Sequence, residues 1–230
     1  MEYYADYISK IEIQELWRGH KHIVWELDPE VNVLSGVNGV GKSTILHSIV
    51  SGVKSIKYTD GNIRVETIPA DAELIRFDII STPEVRSEFD TNLSSLCERY
   101  SLHSHDASRT KEFYEIIDRL FASTEKTIVR NTNTIQLMQY GEPVDLKVLS
   151  SGEKQMLCIL LTVYLQDQEP TVLFMDEPEV SLHMEWQQQL IEIIRHLNPK
   201  VQIILTTHSP AIIMNGWMDK VTEVNDITVG

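Results

Sequence analysis

The chain has 230 residues, and its 20 lysines and arginines stand against 34 aspartates and glutamates, which gives a formal net charge of −14. A hydrophobic content of 42% with 23% charged residues is typical of a globular protein and excludes general disorder. The longest apolar stretch, residues 156 to 165, is about half the length that a membrane-spanning helix needs, so we predict no membrane insertion.

Two cysteines make no disulfide framework, and the N-terminus lacks an apolar segment, so a cytoplasmic location is expected. An acidic surface repels phosphate backbones, which disfavours direct nucleic-acid binding by this chain alone.

The first half of the chain is predicted to consist of strands, one helix and a helical lobe. Hydrophobic patterning indicates strands up to residue 36, then a glycine-rich turn and a helix at 43 to 50. Further strands are predicted at 63 to 65 and 74 to 80. A polar, helical lobe follows at 81 to 123, and residues 127 to 149 are predicted to be extended, with a turn at 141 to 143.

Helices and strands alternate beyond residue 150. Helices are predicted at 153 to 166, 183 to 197 and 209 to 215, and strands at 171 to 175, 201 to 206 and 220 to 224. This alternation is typical of a parallel sheet covered by helices on both faces. The pattern shows neither repeats nor a linker, so we predict an α/β fold in a single domain spanning 1 to 230, with the lobe at about 81 to 123 inserted in it.

A phosphate-binding loop is predicted at residues 36 to 43, which read GVNGVGKS and fit the pattern G-x-x-x-x-G-K-[ST] between a strand and a helix. Glycines let the backbone bend around phosphates, Lys42 would reach the β- and γ-phosphates, and the Ser43 hydroxyl would bind Mg²⁺. The alternative is a glycine turn that caps an ordinary helix. The predicted nucleotide-binding residues are Gly36, Asn38, Gly39, Val40, Gly41, Lys42, Ser43 and Thr44.

Two carboxylates and a histidine follow the next two predicted core strands. Asp176 suits a Mg²⁺ site, and Glu177 is placed to polarise the water that attacks the γ-phosphate. His208 would reach the same sheet edge and bond the γ-phosphate or that water. The alternatives are a solvated turn for the carboxylates and an ordinary surface or core position for the histidine.

Residues 149 to 155 read LSSGEKQ and precede an apolar helix. One interpretation is a serine N-cap assisted by Glu153. The other is a second anion-binding helix N-terminus, which a chain with one phosphate loop needs only if it serves the nucleotide of a neighbouring molecule.

Taken in order, these four segments resemble the ATP-binding-cassette (ABC) ATPase superfamily. GVNGVGKS resembles Walker A, LSSGEKQ the signature, VLFMDEP Walker B with its catalytic glutamate, and TTHSP the switch-histidine segment. The resemblance implies a P-loop NTPase of ABC-ATPase type, with a mixed sheet core, an antiparallel β subdomain and an inserted helical lobe. It also implies ATP and Mg²⁺ as cofactors and a head-to-tail homodimer in which Ser150 and Gly152 contact the γ-phosphate held by the partner.

The forms EPEVSLH, TTHSP and LWRG are similar to soluble ATPases of the RecF, OLD and Septu-like bacterial groups, in which the residue matching Arg18 lies close to the nucleotide. A surface arginine on a turn is the alternative for Arg18. Transporter cassettes usually have a glutamine at the end of the strand after Walker A, and this sequence lacks it. Ser81 is the residue that would take over its contacts with metal and water.

The sequence has no coiled-coil arm, and the 14 residues after Gly216 are too few for a TOPRIM nuclease domain. The expected partner is therefore a separate effector such as a nuclease, in bacterial defence or DNA processing. A transporter ATPase subunit and a nucleotide-gated scaffold without turnover are the alternatives.

Overall fold

The fold is taken from a computed structural model of the chain, which describes residues 3–17, 19–54, 62–81, 86–104, 106–130 and 132–229. The chain packs into two compact units. Unit 1 comprises Met1–Ser81, Gln168–Glu179 and Lys200–Gly230, and unit 2 comprises Thr82–Asp167 and Val180–Pro199.

The helices and strands follow the predicted succession. In chain order they are β1 (Tyr7–Leu16), β2 (Lys21–Glu26), β3 (Val31–Ser35), α1 (Lys42–Lys54), β4 (Ile63–Ile68), β5 (Phe77–Ser81), α2 (Arg86–Leu102), α3 (Ala107–Phe121), β6 (Lys126–Ile128), β7 (Leu137–Gln139), β8 (Glu142–Val144), α4 (Ser151–Tyr164), β9 (Thr171–Asp176), α5 (Met184–Leu197), β10 (Val201–Thr206), α6 (Pro210–Ile213), β11 (Val221–Glu223) and β12 (Thr228–Val229).

Unit 1 contains a five-stranded sheet in the order β11-β3-β10-β9-β5, in which every neighbouring pair is parallel. All six residues of β10 are buried, as are the first five of β9. Continuous burial, instead of alternation, is what strands covered on both faces require. The carboxyl ends of β3, β10 and β9 therefore meet at one edge of the sheet.

A second sheet of unit 1 is antiparallel, in the order β12-β2-β1-β4. Its inward side chains and those of the parallel sheet share one apolar cluster with α1, which includes Ile11, Trp25, Ile45, Ile49 and Phe174. This cluster holds α1 firmly, and with it the loop that leads from β3 into the helix.

A buried glutamine also fixes β1 in unit 1. Gln202 Oε1 accepts a hydrogen bond from the Ile8 N–H at 2.8 Å, and its Nε2 donates to the carbonyls of Ile8 and Asp28, also at 2.8 Å. Because Gln202 is fully buried on β10, these bonds satisfy backbone groups that water cannot reach.

Unit 2 consists of helices α2 to α5 and a three-stranded antiparallel sheet in the order β6-β7-β8. Helix α4 is buried along almost its whole length. Tyr100, Phe113 and Tyr164 pack as a ring cluster, and the hydroxyl groups of Tyr100 and Tyr114 lie 2.8 Å apart. This aromatic core holds α2, α3 and α4 together.

Some predicted boundaries are wrong for identifiable reasons. The turn expected at 141 to 143 lies earlier, at Tyr140 and Gly141, whose positive φ values of 52° and 83° suit a two-residue hairpin turn, while Glu142 and Pro143 already belong to β8. The strand expected from residue 74 begins at Phe77, since Leu74 makes an isolated bridge to Tyr4.

The lobe expected at 81 to 123 corresponds to α2 and α3 of unit 2. That the whole chain acts as one ATPase domain stays a prediction. No helix within the described residues is long and apolar enough to cross a membrane.

Candidate functional site

A cleft of about 450 Å³ in unit 1 brings Glu177, His208 and most of the predicted phosphate-loop residues together at the carboxyl edge of the parallel sheet. The loop after β3 contributes one wall, the end of β9 supplies Glu177, and the end of β10 supplies His208. The residues that line the cleft are Trp17, Asn38, Gly39, Gly41, Lys42, Ser43, Thr44, Glu177 and His208.

The loop between β3 and α1 depends on glycine at two lining positions. Gly39 and Gly41 have φ values of 79° and 104°, in the left-handed region that side chains other than glycine rarely adopt. At Gly41 an added Cβ would also overlap the ring of Trp17, which packs directly on this backbone. The glycines therefore give the loop its curvature and leave room for the aromatic ring.

Lys42 lies inside this loop and is only 4% exposed. Its Nζ donates to the carbonyl of Gly36 at 3.1 Å and to that of Val37 at 3.4 Å. An ordinary capping turn would leave the lysine in solvent, whereas the structure points the ammonium group into the loop. This favours the phosphate-loop interpretation.

Asp176 contacts the phosphate loop. Its Oδ1 accepts hydrogen bonds from the hydroxyl groups of Ser43 at 2.9 Å and Thr206 at 2.5 Å, and His47 Nε2 lies 3.8 Å from its Oδ2. The two hard oxygen donors of Ser43 and Asp176 suit Mg²⁺, which prefers a few protein oxygens together with water and substrate phosphates. These residues therefore fit the ion, and they would hold it.

Glu177 and His208 face each other across the cleft. The imidazole Nε2 of His208 lies 3.0 Å from Glu177 Oε1 and 2.7 Å from Lys42 Nζ. Glu177 has a φ of 46°, and its N–H bonds the carbonyl of Thr206 at 3.2 Å, so the carboxylate is aimed by an unusual backbone conformation.

The His208 Nε2 nitrogen cannot satisfy both neighbours at once. In the unprotonated form it accepts a hydrogen bond from Lys42, and in the protonated form it donates one to Glu177. The three groups therefore form a linked set in which a change at the lysine alters the bond between histidine and glutamate.

Ser150 and Gly152 belong to unit 2. Ser150 caps α4: its Oγ accepts from the Glu153 N–H at 3.2 Å, and its own N–H donates to Glu153 Oε2 at 2.9 Å. An added Cβ on Gly152 would collide with the carbonyl of Ser181. The capping interpretation is confirmed, and the anion-binding interpretation stays a prediction.

Glu153 anchors this cap in the interior of unit 2. Burial opposes its ionisation, but hydrogen bonds from the Lys126 ammonium, the Ser150 N–H and the Thr124 hydroxyl together hold the pKa of the carboxyl below its ordinary value of 4.5. The Lys126 Nζ lies 2.8 Å from Glu153 Oε1. The start of α4 is thus tied to β6 by a buried ion pair.

Residues 64–215 match the AAA_21 family, described as "AAA domain, putative AbiEii toxin, Type IV TA system". This match covers about two thirds of the chain. The chain belongs to the AAA_21 family. The matched region includes LSSGEKQ, Asp176, Glu177 and His208, and it begins after the phosphate loop.

Relatives of this AAA_21 protein include two named for bacterial systems. A "Retron Vc95 probable ATPase" from Vibrio cholerae is 20% identical over 65% of this chain and 33% of its own length. A Septu protein PtuA from Bacillus thuringiensis is 45% identical over 22% of this chain and 13% of its own length. The matches to these two thus span a third or less of the relatives. A phosphate import ATP-binding protein PstB from Staphylococcus saprophyticus is 24% identical over 93% of this chain and 77% of its own length.

Two solved structures share the fold of the AAA_21 protein. The SMC head domain from Thermotoga maritima aligns with a TM-score of 0.58 and 16% identity, over 96% of this chain and 97% of that one. CbiO1 from Clostridium perfringens, part of an ABC transporter complex, aligns with a TM-score of 0.52 and 18% identity, over 88% and 80%. The predicted superfamily and P-loop NTPase fold class are confirmed.

Some predicted site residues of the AAA_21 protein lie elsewhere, and one lining residue was missed. Arg18 lies outside the described residues. Val40 packs against the loop at Gly36 and does not line the cleft. Ser81 ends β5 in register with Asp176 and is exposed. Trp17 lines the cleft although it was not among the predicted site residues. An aromatic residue next to Arg18 in the LWRG segment was the only sequence feature that could have indicated it.

Proposed function

We propose that this chain is an ABC-type ATPase that binds MgATP in the cleft of unit 1, dimerises head to tail and hydrolyses ATP to switch a separate effector protein. The observation that carries the proposal is that His208 Nε2 contacts both Lys42 Nζ, at 2.7 Å, and Glu177 Oε1, at 3.0 Å. A phosphate-binding cation and a general base are groups that hydrolysis of a γ-phosphate uses, and a histidine beside them can bond a γ-phosphate oxygen.

Binding of ATP draws on the loop and the lysine. N–H groups of residues 36 to 43 and the N-terminus of α1 provide partial positive charge for the phosphates. Lys42 would exchange its contacts with loop carbonyls and His208 for the β- and γ-phosphates. Ser43 and Asp176 would hold Mg²⁺, which when bound would neutralise negative charge on the phosphate oxygens.

Hydrolysis uses Glu177 and His208 in different roles. Glu177 accepts a proton from water as the water oxygen bonds to the γ-phosphorus, and the bond from that phosphorus to the bridging oxygen breaks, which leaves ADP and phosphate. Once Lys42 turns to the phosphates, His208 Nε2 is released from the lysine and can donate to Glu177 or to a γ-phosphate oxygen.

Dimerisation gives the signature segment its use. Ser150 is exposed at the start of α4, a 14-residue helix whose N-terminus carries partial positive charge. In the proposed head-to-tail dimer, Ser150 and Gly152 of one copy contact the γ-phosphate held by the other. Arg18 is proposed to lie near the nucleotide.

The similarity to a retron ATPase and a Septu protein supports a place in bacterial defence, with an effector such as a nuclease as the partner. An acidic chain of net charge −14 suits an effector with a basic surface better than direct contact with nucleic acid. The similarity to phosphate import ATP-binding proteins supports the second candidate, an ATPase subunit of a transporter.

The proposal is tested by ATP binding and turnover of the purified chain. Lys42→Ala should abolish ATP binding, while Lys111→Ala, at an exposed lysine of α3, should leave it unchanged. Glu177→Gln should slow turnover by about 10²- to 10⁴-fold and accumulate an ATP-bound dimer. Wild-type turnover in Glu177→Gln would place the general base elsewhere. A chain that binds ATP without any turnover would support the scaffold alternative.

The dimer is tested separately. Ser150→Arg should prevent ATP-dependent dimerisation, measured by light scattering, and leave ATP binding by the monomer intact. Ser95→Arg, at an exposed serine of α2, is the matched control and should dimerise normally. Loss of ATP binding by the Ser150→Arg monomer would contradict a role across the interface. Co-purification from native cells, identifying either an effector or a membrane permease, separates the two candidate functions.

A further inference from the structure

Glu179 is a buried carboxylate that the mechanism above does not use. It is 7% exposed, and one of its oxygens, Oε1, accepts three hydrogen bonds from the segment after β10. The donors are the Thr207 hydroxyl at 2.6 Å, the His208 N–H at 2.8 Å and the Ser209 N–H at 3.3 Å. The carboxylate therefore holds Thr207 and His208 directly, and the Ser209 N–H divides its bond between Glu179 and the Thr207 hydroxyl oxygen, which lies nearer at 2.9 Å.

These bonds replace the strand ladder where it stops. Strand β10 ends at Thr206 and α6 begins at Pro210, so the N–H groups of His208 and Ser209 lie between two regular elements. Backbone donors in such a segment must find other acceptors. A carboxylate is a strong one, because charge-assisted hydrogen bonds are shorter and stronger than bonds between neutral groups.

The tripeptide Glu177-Pro178-Glu179 thus contacts His208 at both ends. Glu177 lies 3.0 Å from the imidazole Nε2, and Glu179 binds the backbone N–H of the same residue. The intervening Pro178 is buried and fixes its own φ, which limits how the two carboxylates can move relative to each other. The position of the imidazole is therefore set by a contact to the ring itself and by a hydrogen bond to the backbone of His208.

We propose that Glu179 is a positioning residue that holds the His208 backbone so that the imidazole faces Glu177 and the γ-phosphate. This inference rests on the proposed hydrolysis.

Three substitutions distinguish the effects of the acceptor oxygen, the side-chain length and the negative charge of Glu179. Glu179→Gln keeps an oxygen at the same distance, and its kcat for ATP should stay within about threefold of wild type. Glu179→Asp keeps the charge but withdraws the oxygen by one methylene, and Glu179→Met removes the acceptor. Both should lower kcat by about 10- to 100-fold with KM changed by less than about threefold, since misplacement by about 1 Å costs up to 10² in rate.

Each kcat is calculated from the measured concentration of ATP-binding sites, so that unfolded protein does not lower the value. In a His208→Ala background, Glu179→Met should cause no further loss, because the group that it positions is already gone. An equal fractional loss in both backgrounds, or wild-type kcat in Glu179→Asp, would overturn the proposal. The Asp variant, which keeps the charge and most of the volume, decides the question if the Met variant does not bind ATP.

A readout without turnover distinguishes failure of this inference from failure of the proposed function. Hydrogen exchange of a peptide spanning 207 to 211 should be slow in wild type and Glu179→Gln and faster in Glu179→Met. Unchanged exchange in Glu179→Met would refute the holding role whether or not the protein hydrolyses ATP. An absence of ATP turnover in wild type, with the exchange pattern as expected, would refute the proposed hydrolysis and leave Glu179 holding the segment.

Discussion

Removing one partner of the buried ion pair at the start of α4 should cost far more stability than removing one partner of an exposed pair in the same unit. The Lys126 and Glu153 side chains are 11% and 5% exposed, with 2.8 Å between Nζ and Oε1. Removal of one partner from such a pair costs about 3–5 kcal/mol, because the other charge stays buried without its counterion. Glu153 keeps its bonds to Ser150 and Thr124, so we expect about 3 kcal/mol for Lys126→Met.

The matched control is Lys111→Met on α3. Lys111 and Glu115 are 76% and 59% exposed and 3.8 Å apart, and an exposed pair at this helical spacing contributes below about 0.5 kcal/mol. Urea titrations of both variants give the free energies of unfolding, and hydrogen exchange of α4 amides locates the loss within unit 2. A loss below about 1 kcal/mol in Lys126→Met would refute the reasoning.

The same pair predicts a dependence on pH. In wild type the pKa of folded Glu153 lies below its ordinary value of 4.5, so its contribution is complete above that pH and is lost as the pH falls through the folded pKa. In Lys126→Met the buried carboxyl of Glu153 loses the ammonium group that favours its charged form, so protonation of that carboxyl relieves the cost as the pH falls. The stability gap between the two proteins should narrow from pH 7 to pH 5. A gap independent of pH would show that the lost stability is not electrostatic.

Three further predictions concern packing and reactivity. Trp17→Leu removes the aromatic ring beside Gly41 and should raise the Kd for ATP about fivefold, which corresponds to the lower end of the energy of stacking an aromatic ring on a base. An unchanged Kd in a fluorescent-nucleotide titration would exclude Trp17 from binding. Gly152→Ala places a methyl group against the Ser181 carbonyl and should lower the free energy of unfolding, measured by urea titration, by about 1–3 kcal/mol. Ser151→Ala is the neutral control, and equal stability of the two variants would contradict this packing. Burial raises the pKa of Cys97 to about 11 and that of Cys158 to about 12, so iodoacetamide at pH 8 should label both thiols in urea and neither in the native protein, as mass spectrometry would show.

Chemistry with a fixed local pattern was predictable from the sequence. The phosphate loop needs glycines, a lysine and a serine at set spacing, and carboxylates that end a buried strand must emerge at the sheet edge. Asp176, Glu177 and His208 therefore lie where the pattern indicates. Their roles in hydrolysis stay predictions.

Contacts between residues distant in sequence were not predictable in this way. Trp17 reaches the phosphate loop because β1 ends beside it, and no local pattern encodes that approach. The acceptor for the N–H group of His208 comes from Glu179, about 30 residues earlier. The hairpin turn at Tyr140 was misplaced because Pro143 is a turn signal that here occupies a strand.

The strand order of unit 1 bears on how the protein is made. Strand β3, which leads into the phosphate loop, pairs with β10 and β11, and Val31 lies opposite Ile203, about 170 residues later. During synthesis β3 leaves the ribosome long before either neighbour exists, and distant pairings form slowly even in the complete chain. The cleft is therefore lined from distant parts of the chain, and Glu177 and His208 can join it only after β9 and β10 have been synthesised.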